Sequence, residues 1–180
     1  AGRPNAGKST LLNRLVGEHL AITSPKPQST RDRVVGIITD DNTQIVLHDT
    51  PGLLAPSYAL QSAMRSTSLV ALNDADVIVH LIDAAEGKLE SLVEAAAIPS
   101  ARAPRAPVIL ALNKSDELSA GRSDLLAREH PDACLISART GDGIPLLLAR
   151  IRAMLPEHPF YYDPEDLSTQ QMRFFAAEMV

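Results

Sequence analysis

Gly2-Arg3-Pro4-Asn5-Ala6-Gly7-Lys8-Ser9 constrains the fold of this chain more than any other stretch. It matches G-x-x-x-x-G-K-[ST], the spacing of a phosphate-binding loop. The two glycines let the backbone curl so that successive N–H groups point inward at an anion. Lys8 can reach the terminal phosphates of a nucleotide, and Ser9 can place its hydroxyl on Mg²⁺. A helix starting here adds the positive end of its dipole. Taken by itself, the stretch also reads as a Gly/Pro-rich surface turn. As a phosphate loop it specifies a nucleoside triphosphate and leaves the base and hydrolysis open.

The chain has 180 residues and a net charge of -5. That length suits one domain. The acidic balance argues against a free-standing nucleic-acid binder, which usually carries a basic face. Aromatics are only 3% against 45% hydrophobic residues, so the core must be built from Leu, Val, Ile and Ala. The single cysteine, Cys134, excludes an internal disulfide framework and a cysteine metal site. It opens an apolar run and reads as a buried strand thiol. No signal peptide and no apolar run of membrane-spanning length occurs, so a cytoplasmic location is expected. A phosphate loop normally follows a buried strand, and the first residue is already in the loop. The chain is therefore expected to be a piece that lacks its N-terminal strand.

Apolar residues at Leu11, Leu12, Leu15 and Val16 predict a helix over Lys8 to Val16, stopped by Gly17. Ala21 to Asp32 is polar and proline-rich and reads as a loop. Val34 to Thr39 and Gln44 to Leu47 form a hairpin pattern turning at Asp41-Asn42. Helices are expected over Tyr58 to Leu72, Leu89 to Ala97, Leu118 to Glu129 and Ile144 to Leu155. Buried strands are expected at Val77 to Ile82, Val108 to Leu112 and Leu135-Ile136. This alternation implies an α/β fold with a mostly parallel sheet and helices on both faces. Residues 1–155 are expected to form that domain. Residues 156–180 read as a Pro/Glu/Asp/Tyr-rich linker followed by the start of a new amphipathic helix.

Three further motifs each follow an expected strand. In Asp49-Thr50-Pro51-Gly52 the carboxylate can hold a metal-bound water and the Gly52 N–H can meet a γ-phosphate; a strand-ending Pro-Gly turn is the alternative. In Asn113-Lys114-Ser115-Asp116 the Asp116 carboxylate can accept from guanine N1–H and N2–H₂, a donor pair adenine lacks. The Lys114 stem can lie across the base plane. A helix cap made by Ser115 or Asp116 is the alternative there. In Ser137-Ala138-Arg139 small side chains let a backbone N–H approach guanine O6, a weak signal by itself. Sheets of this class bind ligands at the carboxyl ends of their strands. Phosphate loop, polar loop with Thr, D-x-x-G, N-K-x-D and S-A, in that order, are the pattern of a small GTPase domain.

At this point the chain resembles the Era-type bacterial GTPases, within the TrmE-Era-EngA-like superfamily. The likeness is carried by Gly2 through Thr10, Lys26-Pro27-Gln28-Ser29-Thr30-Arg31, Val35-Gly36-Ile37, Asp49 through Leu53, Asn113 through Asp116 and Ile136 through Ala138. The tail adds Leu155-Pro156-Glu157, Pro164-Glu165-Asp166 and Arg173-Phe174-Phe175-Ala176-Ala177-Glu178, which resemble the passage into a KH-type RNA-binding domain. Thr30-Arg31-Asp32 departs toward the Der-type GTPases, which remain a rival. So does a GTP/GDP-sensing scaffold with negligible turnover.

The resemblance implies a P-loop G domain that hydrolyses GTP as a switch in small ribosomal subunit assembly. Its RNA partners would be 16S rRNA and the 30S subunit, engaged through the KH region. It leaves open a peripheral association with the inner membrane. It further implies that Gly2, Arg3, Pro4, Asn5, Ala6, Gly7, Lys8, Ser9 and Thr10 contact nucleotide, as do Gln28, Ser29, Thr30, Arg31 and Asp32. Asp49, Thr50, Pro51, Gly52 and Leu53, then Asn113, Lys114, Ser115 and Asp116, then Ile136, Ser137 and Ala138 complete the set. Mg²⁺ would lie on Ser9, Thr30 and Asp49. Lys8, Thr30 and Asn5 would carry catalysis, with Asn5 as a ligand for K⁺. Ras-like enzymes place a water-orienting Gln after D-x-x-G; Leu53 stands there, so slow hydrolysis is expected.

Overall fold

The computed structural model describes residues 1–21, 34–53, 59–86 and 89–169. The chain opens on the loop that leads into α1 (Lys8–Val16). Gly17, in the left-handed region at φ 83°, ends α1 by donating its N–H to Asn13 O, as a glycine past a helix end commonly does. β1 (Val34–Thr39) and β2 (Gln44–Asp49) form the expected antiparallel hairpin, with Val34 opposite Asp49. The Asp40 carboxylate tightens its turn by accepting from the N–H groups of Asn42 and Thr43 at 3.2 and 2.9 Å. β2 runs two residues past Leu47, which carries Asp49 to the strand's end.

α2 (Ala59–Asp74) leads to β3 (Ile78–Asp83). α3 (Leu92–Ala95) covers only four of the residues the Ala-rich run suggested. Two local features set those limits. Ser91 and Glu94 close a reciprocal capping box at the start, and Ala97 takes a left-handed backbone (φ 49°) just past the end. β4 (Val108–Asn113) follows, then a single 3₁₀ turn at Ser115–Glu117. Ser119 caps α4 (Ala120–Glu129), two residues later than the periodicity predicts. β5 (Cys134–Leu135) lies one residue earlier than expected, with Cys134 buried. Pro145 in the first turn and Gly143 at the N-cap start α5 (Ile144–Met154).

β3, β4 and β5 make a parallel sheet in that order. Its side chains alternate between two cores, as the period-2 geometry of strands demands. Val79, Leu81, Ile109 and Ala111 pack toward α1 and α5 with Leu11, Leu147 and Ile151. On the other face Ile78 meets Leu72 and Leu92, while Ile82 and Leu112 meet Leu126 of α4. Helices therefore cover both faces. Ala1 and Gly2 run parallel to β3, with Leu81 N–H donating to Ala1 O at 2.8 Å. Between the facing edges of β2 and β3 lies a cleft of about 370 Å³, lined by Ile45, Leu47, Ile78, Val79 and Ile151 among others.

Residues 156–169 contain no helix or strand. They nevertheless lie against the hairpin. The Gln44 side chain accepts from the Tyr161 and Tyr162 N–H groups at 2.9 and 3.0 Å and donates to Tyr162 O. Farther along, Ile37 N–H donates to Leu167 O at 2.8 Å and Ser168 Oγ donates to Val35 O at 2.5 Å. Gln28 through Asp32, Lys26, Tyr58 and Arg173 through Glu178 lie outside the described residues. Among the described residues no helix is long and apolar enough to cross a membrane.

Candidate nucleotide-binding site

The phosphate loop turns through two left-handed residues, Asn5 at φ 62° and Gly7 at φ 94°. Gly7 is the N-cap of α1, and a Cβ there would strike the Asn113 amide. Glycine is thus required twice over, by backbone and by space. Lys8 folds back and donates from Nζ to Arg3 O at 2.8 Å, across the mouth of its own loop. Burial lowers its pKa, and the charge of Asp49 opposes that shift. An arriving polyphosphate would supply the negative charge that a desolvated ammonium lacks. Arg3 extends the other way, into an ion pair with Glu90.

Ser9 Oγ donates to Asp49 Oδ2 at 2.6 Å, joining α1 to the end of β2. A hydroxyl and a buried carboxylate side by side are hard oxygen donors of the kind Mg²⁺ takes. Among the described residues no group of three His, Cys, Asp or Glu could hold a metal. A cation here would therefore complete its shell with phosphate oxygens and water. Thr50 and Pro51 are buried beyond Asp49, where Pro51 O accepts from Ser68 Oγ at 2.8 Å. Leu53 N–H donates to Gly2 O at 2.9 Å. Gly52 passes so close to the phosphate loop that a Cβ would lie 2.6 Å from the Pro4 nitrogen. The Leu53 side chain, 1% exposed, packs with Leu72 and Ile78 in the core.

At the far end of the site, Asn113 is only 2% exposed and spends its amide within the protein. Nδ2 donates to Ala6 O at 2.8 Å, and Oδ1 accepts from Ala138 N–H at 2.9 Å. One side chain thus bolts the phosphate loop to the 136–138 loop. Arg14 of α1 adds a second tie by donating to the carbonyl oxygens of Ala138 (3.2 Å) and Arg139. Asp116 Oδ1 accepts from Ser137 Oγ at 2.5 Å, and Arg139 pairs with its other oxygen. The Ser137 hydrogen bond first, with Arg139 assisting, holds the Asp116 carboxyl below the usual range. The group is therefore an anion at neutral pH, as an acceptor for two N–H donors must be.

Lys114 has a left-handed backbone (φ 67°), and its ammonium pairs with Asp83 at the end of β3. Burial pulls its pKa down, but the hydrogen bond and charge of Asp83 outweigh this and the net shift is upward. Ser115 N–H donates to Ile136 O at 3.1 Å, drawing the two base-side loops together.

Residues 2–10, 49–53, 113–116 and 136–138 thus gather at the carboxyl ends of the strands. Asp83, Arg14 and Glu90 join them without having been singled out from sequence. An aspartate closing the mostly apolar strand Ile78–Asp83 was a readable signal. Arg14 gave none, since its partners lie 124 and 125 residues away.

Known proteins share this arrangement. The GTPase Era of Lactobacillus delbrueckii subsp. bulgaricus is 38% identical over 186 residues, covering 99% of this chain and 60% of the relative. That of Rickettsia bellii is 40% identical over 183 residues, covering 99% and 61%. The chain spans about 60% of the length of the curated relatives it matches. Among solved structures, Era in complex with MgGDPNP and nucleotides 1506–1542 of 16S ribosomal RNA superimposes with a TM-score of 0.85 at 33% identity, over 99% of this chain and 62% of that one. Aquifex aeolicus Era Y63A bound to GDP·AlF₄⁻ gives 0.84 at 33% identity, with the same coverage. The family model described as 50S ribosome-binding GTPase matches residues 1–114. Since that match runs from the phosphate loop through Lys114, the chain belongs to the 50S ribosome-binding GTPase family.

Proposed function

We propose that this chain is the guanine-nucleotide switch of an Era-type GTPase, binding GTP with Mg²⁺ and hydrolysing it to GDP and phosphate. One observation carries the reading. Asp116 is held as an anion by Ser137 and Arg139, and Asn113 locks that loop to the phosphate loop. A base reader and a polyphosphate cradle are so fixed at a set separation.

Lys8 would exchange Arg3 O for the β/γ-phosphates. Ser9 and Asp49 would hold Mg²⁺, which neutralises charge on the phosphates when bound. While donating its proton to Asp49, the Ser9 hydroxyl keeps lone pairs it can offer to a cation. Thr30, within the Gln28–Asp32 segment, would add the second hydroxyl when that loop closes over GTP. Leu53 leaves water orientation to other groups. Asn5, exposed and left-handed within the phosphate loop, suits a K⁺ ligand that would add positive charge there. Turnover should then be higher in K⁺ than in Na⁺, and Asn5→Ala should abolish the difference. Equal phosphate release in both salts would refute the K⁺ role.

The buried Leu53 also favours a second reading, a GTP/GDP-sensing scaffold. A phosphate-release assay separates the two, since no turnover above the buffer rate would leave only the scaffold. For partners, the family description names the 50S subunit, whereas the Era neighbour carries a 16S ribosomal RNA segment. The Era likeness extends over 99% of the chain and is the more specific guide. We therefore favour 16S rRNA and small-subunit assembly in the cytoplasm, with RNA contact made through the KH-type region whose start residues 156–180 resemble.

A further inference from the structure

We propose that Asp83 is the positioning residue for Lys114 and thereby sets nucleotide affinity; the proposal rests on the guanine-nucleotide reading of the site. Asp83 ends β3 in register with Asn113 of β4, one residue before Lys114. It is 7% exposed, and both carboxylate oxygens are engaged. Oδ1 accepts from Ala85 N–H at 2.9 Å, and Oδ2 meets the Lys114 ammonium. Ala84 N–H donates to Asn113 O at 2.9 Å, so the backbones carrying the two groups are tied as well.

A lysine has four rotatable side-chain bonds and, untethered, spreads its head through solvent. Lys114 is restrained at both ends. Its backbone is left-handed, a conformation a residue with a Cβ keeps only when its surroundings impose it. Its head is drawn to a buried anion across the β3–β4 edge. The stem between those anchors then has few courses open to it, and the wall it forms stands ready before any base arrives. Pre-ordering of this kind removes a cost otherwise met on binding. The other side chains of the motif follow the same plan, since Asn113 is held by Ala6 and Ala138 and Asp116 by Ser137 and Arg139.

A double-mutant cycle tests this. GDP and ADP dissociation constants are measured by calorimetry for the wild type, Asp83→Asn, Lys114→Met and the double variant, with urea stability measured without nucleotide. Methionine keeps a long apolar stem and removes the charge. The expected result is about tenfold weaker GDP binding for Asp83→Asn, and no further loss when it is added to Lys114→Met. Asp83→Glu keeps the charge and serves if Asp83→Asn does not fold. Its longer stem cannot satisfy Ala85 N–H and the ammonium together, so it too should weaken GDP binding only when Lys114 is present. Unchanged GDP affinity would overturn the proposal, as would an equal loss in the Lys114→Met background. Failure of the wild type to prefer GDP over ADP would instead bring down the guanine reading itself.

Discussion

Replacing Asn113 by alanine should damage fold and ligand site together. The side chain makes two hydrogen bonds, to Ala6 O at 2.8 Å and from Ala138 N–H at 2.9 Å. Both partner residues are 2% exposed, so water cannot take over those bonds. Each bond contributes about 0.5–1.5 kcal/mol, and each buried group left without a partner costs about 1–3 kcal/mol. These figures overlap, and about 3 kcal/mol is the reasonable total. In a chain of this size that lowers Tm by roughly 6–12 °C. Asn13→Ala is the control. Asn13 is also buried and hydrogen-bonded through both side-chain atoms, but its partners are Leu20 and Ala21, local to the end of α1. Urea denaturation should give comparable losses for the two variants. GDP titration, done where both remain folded, should separate them, with Asn113→Ala weaker by about tenfold, or ~1.4 kcal/mol, and Asn13→Ala close to wild type. If the two bind GDP equally, or Asn113→Ala costs under about 0.5 kcal/mol, the coupling of the loops through this side chain is refuted.

Other perturbations have directions fixed by the structure. His80, 3% exposed, has its pKa lowered to about 4, chiefly by burial. The unfolded chain, titrating near 6.5, therefore binds the proton more readily than the folded one. Stability should be whole above pH 6.5 and fall by about 3 kcal/mol as pH drops toward 4. Urea midpoints across that range should show the slope in wild type and a flatter one in His80→Gln; parallel curves would contradict the assignment. Asp116→Asn exchanges one acceptor for a donor, which suits the C2 carbonyl of xanthine, so competition assays should show preference moving from GDP to xanthosine diphosphate. Gly52→Ala forces a methyl against Pro4 and should destabilise the fold by about 1–3 kcal/mol, measurable by the same denaturation.

Local rules were readable wherever one short stretch decides the outcome. The apolar stripe and Gly17 delimit α1, and the β-branched runs around Asp41-Asn42 give the hairpin. α3 shrinks because a serine–glutamate capping box and one left-handed alanine overrule Ala-rich propensity. β2 extends through His48 and Asp49 because pairing with Val34 and Val35 continues there, which no apolar pattern records. The site divides in the same manner. Phosphate, metal and base residues announce themselves by spacing, since each motif lies in one loop. The ties that hold them do not. Asn113 to Ala6 spans 107 residues and Arg14 to Ala138 spans 124, distances at which only the folded sheet makes neighbours. Asn113 shows the consequence. Sequence lists it with the base readers, and the structure shows its amide also tying the two loops together.

Calorimetric titration of this chain with GDP and with ADP, under identical Mg²⁺ and salt, tests the central claim most directly. Two hydrogen bonds to a held carboxylate, at about 1.5–3 kcal/mol each, require GDP to bind at least roughly 100-fold more tightly. Dissociation constants within about threefold of one another would contradict it.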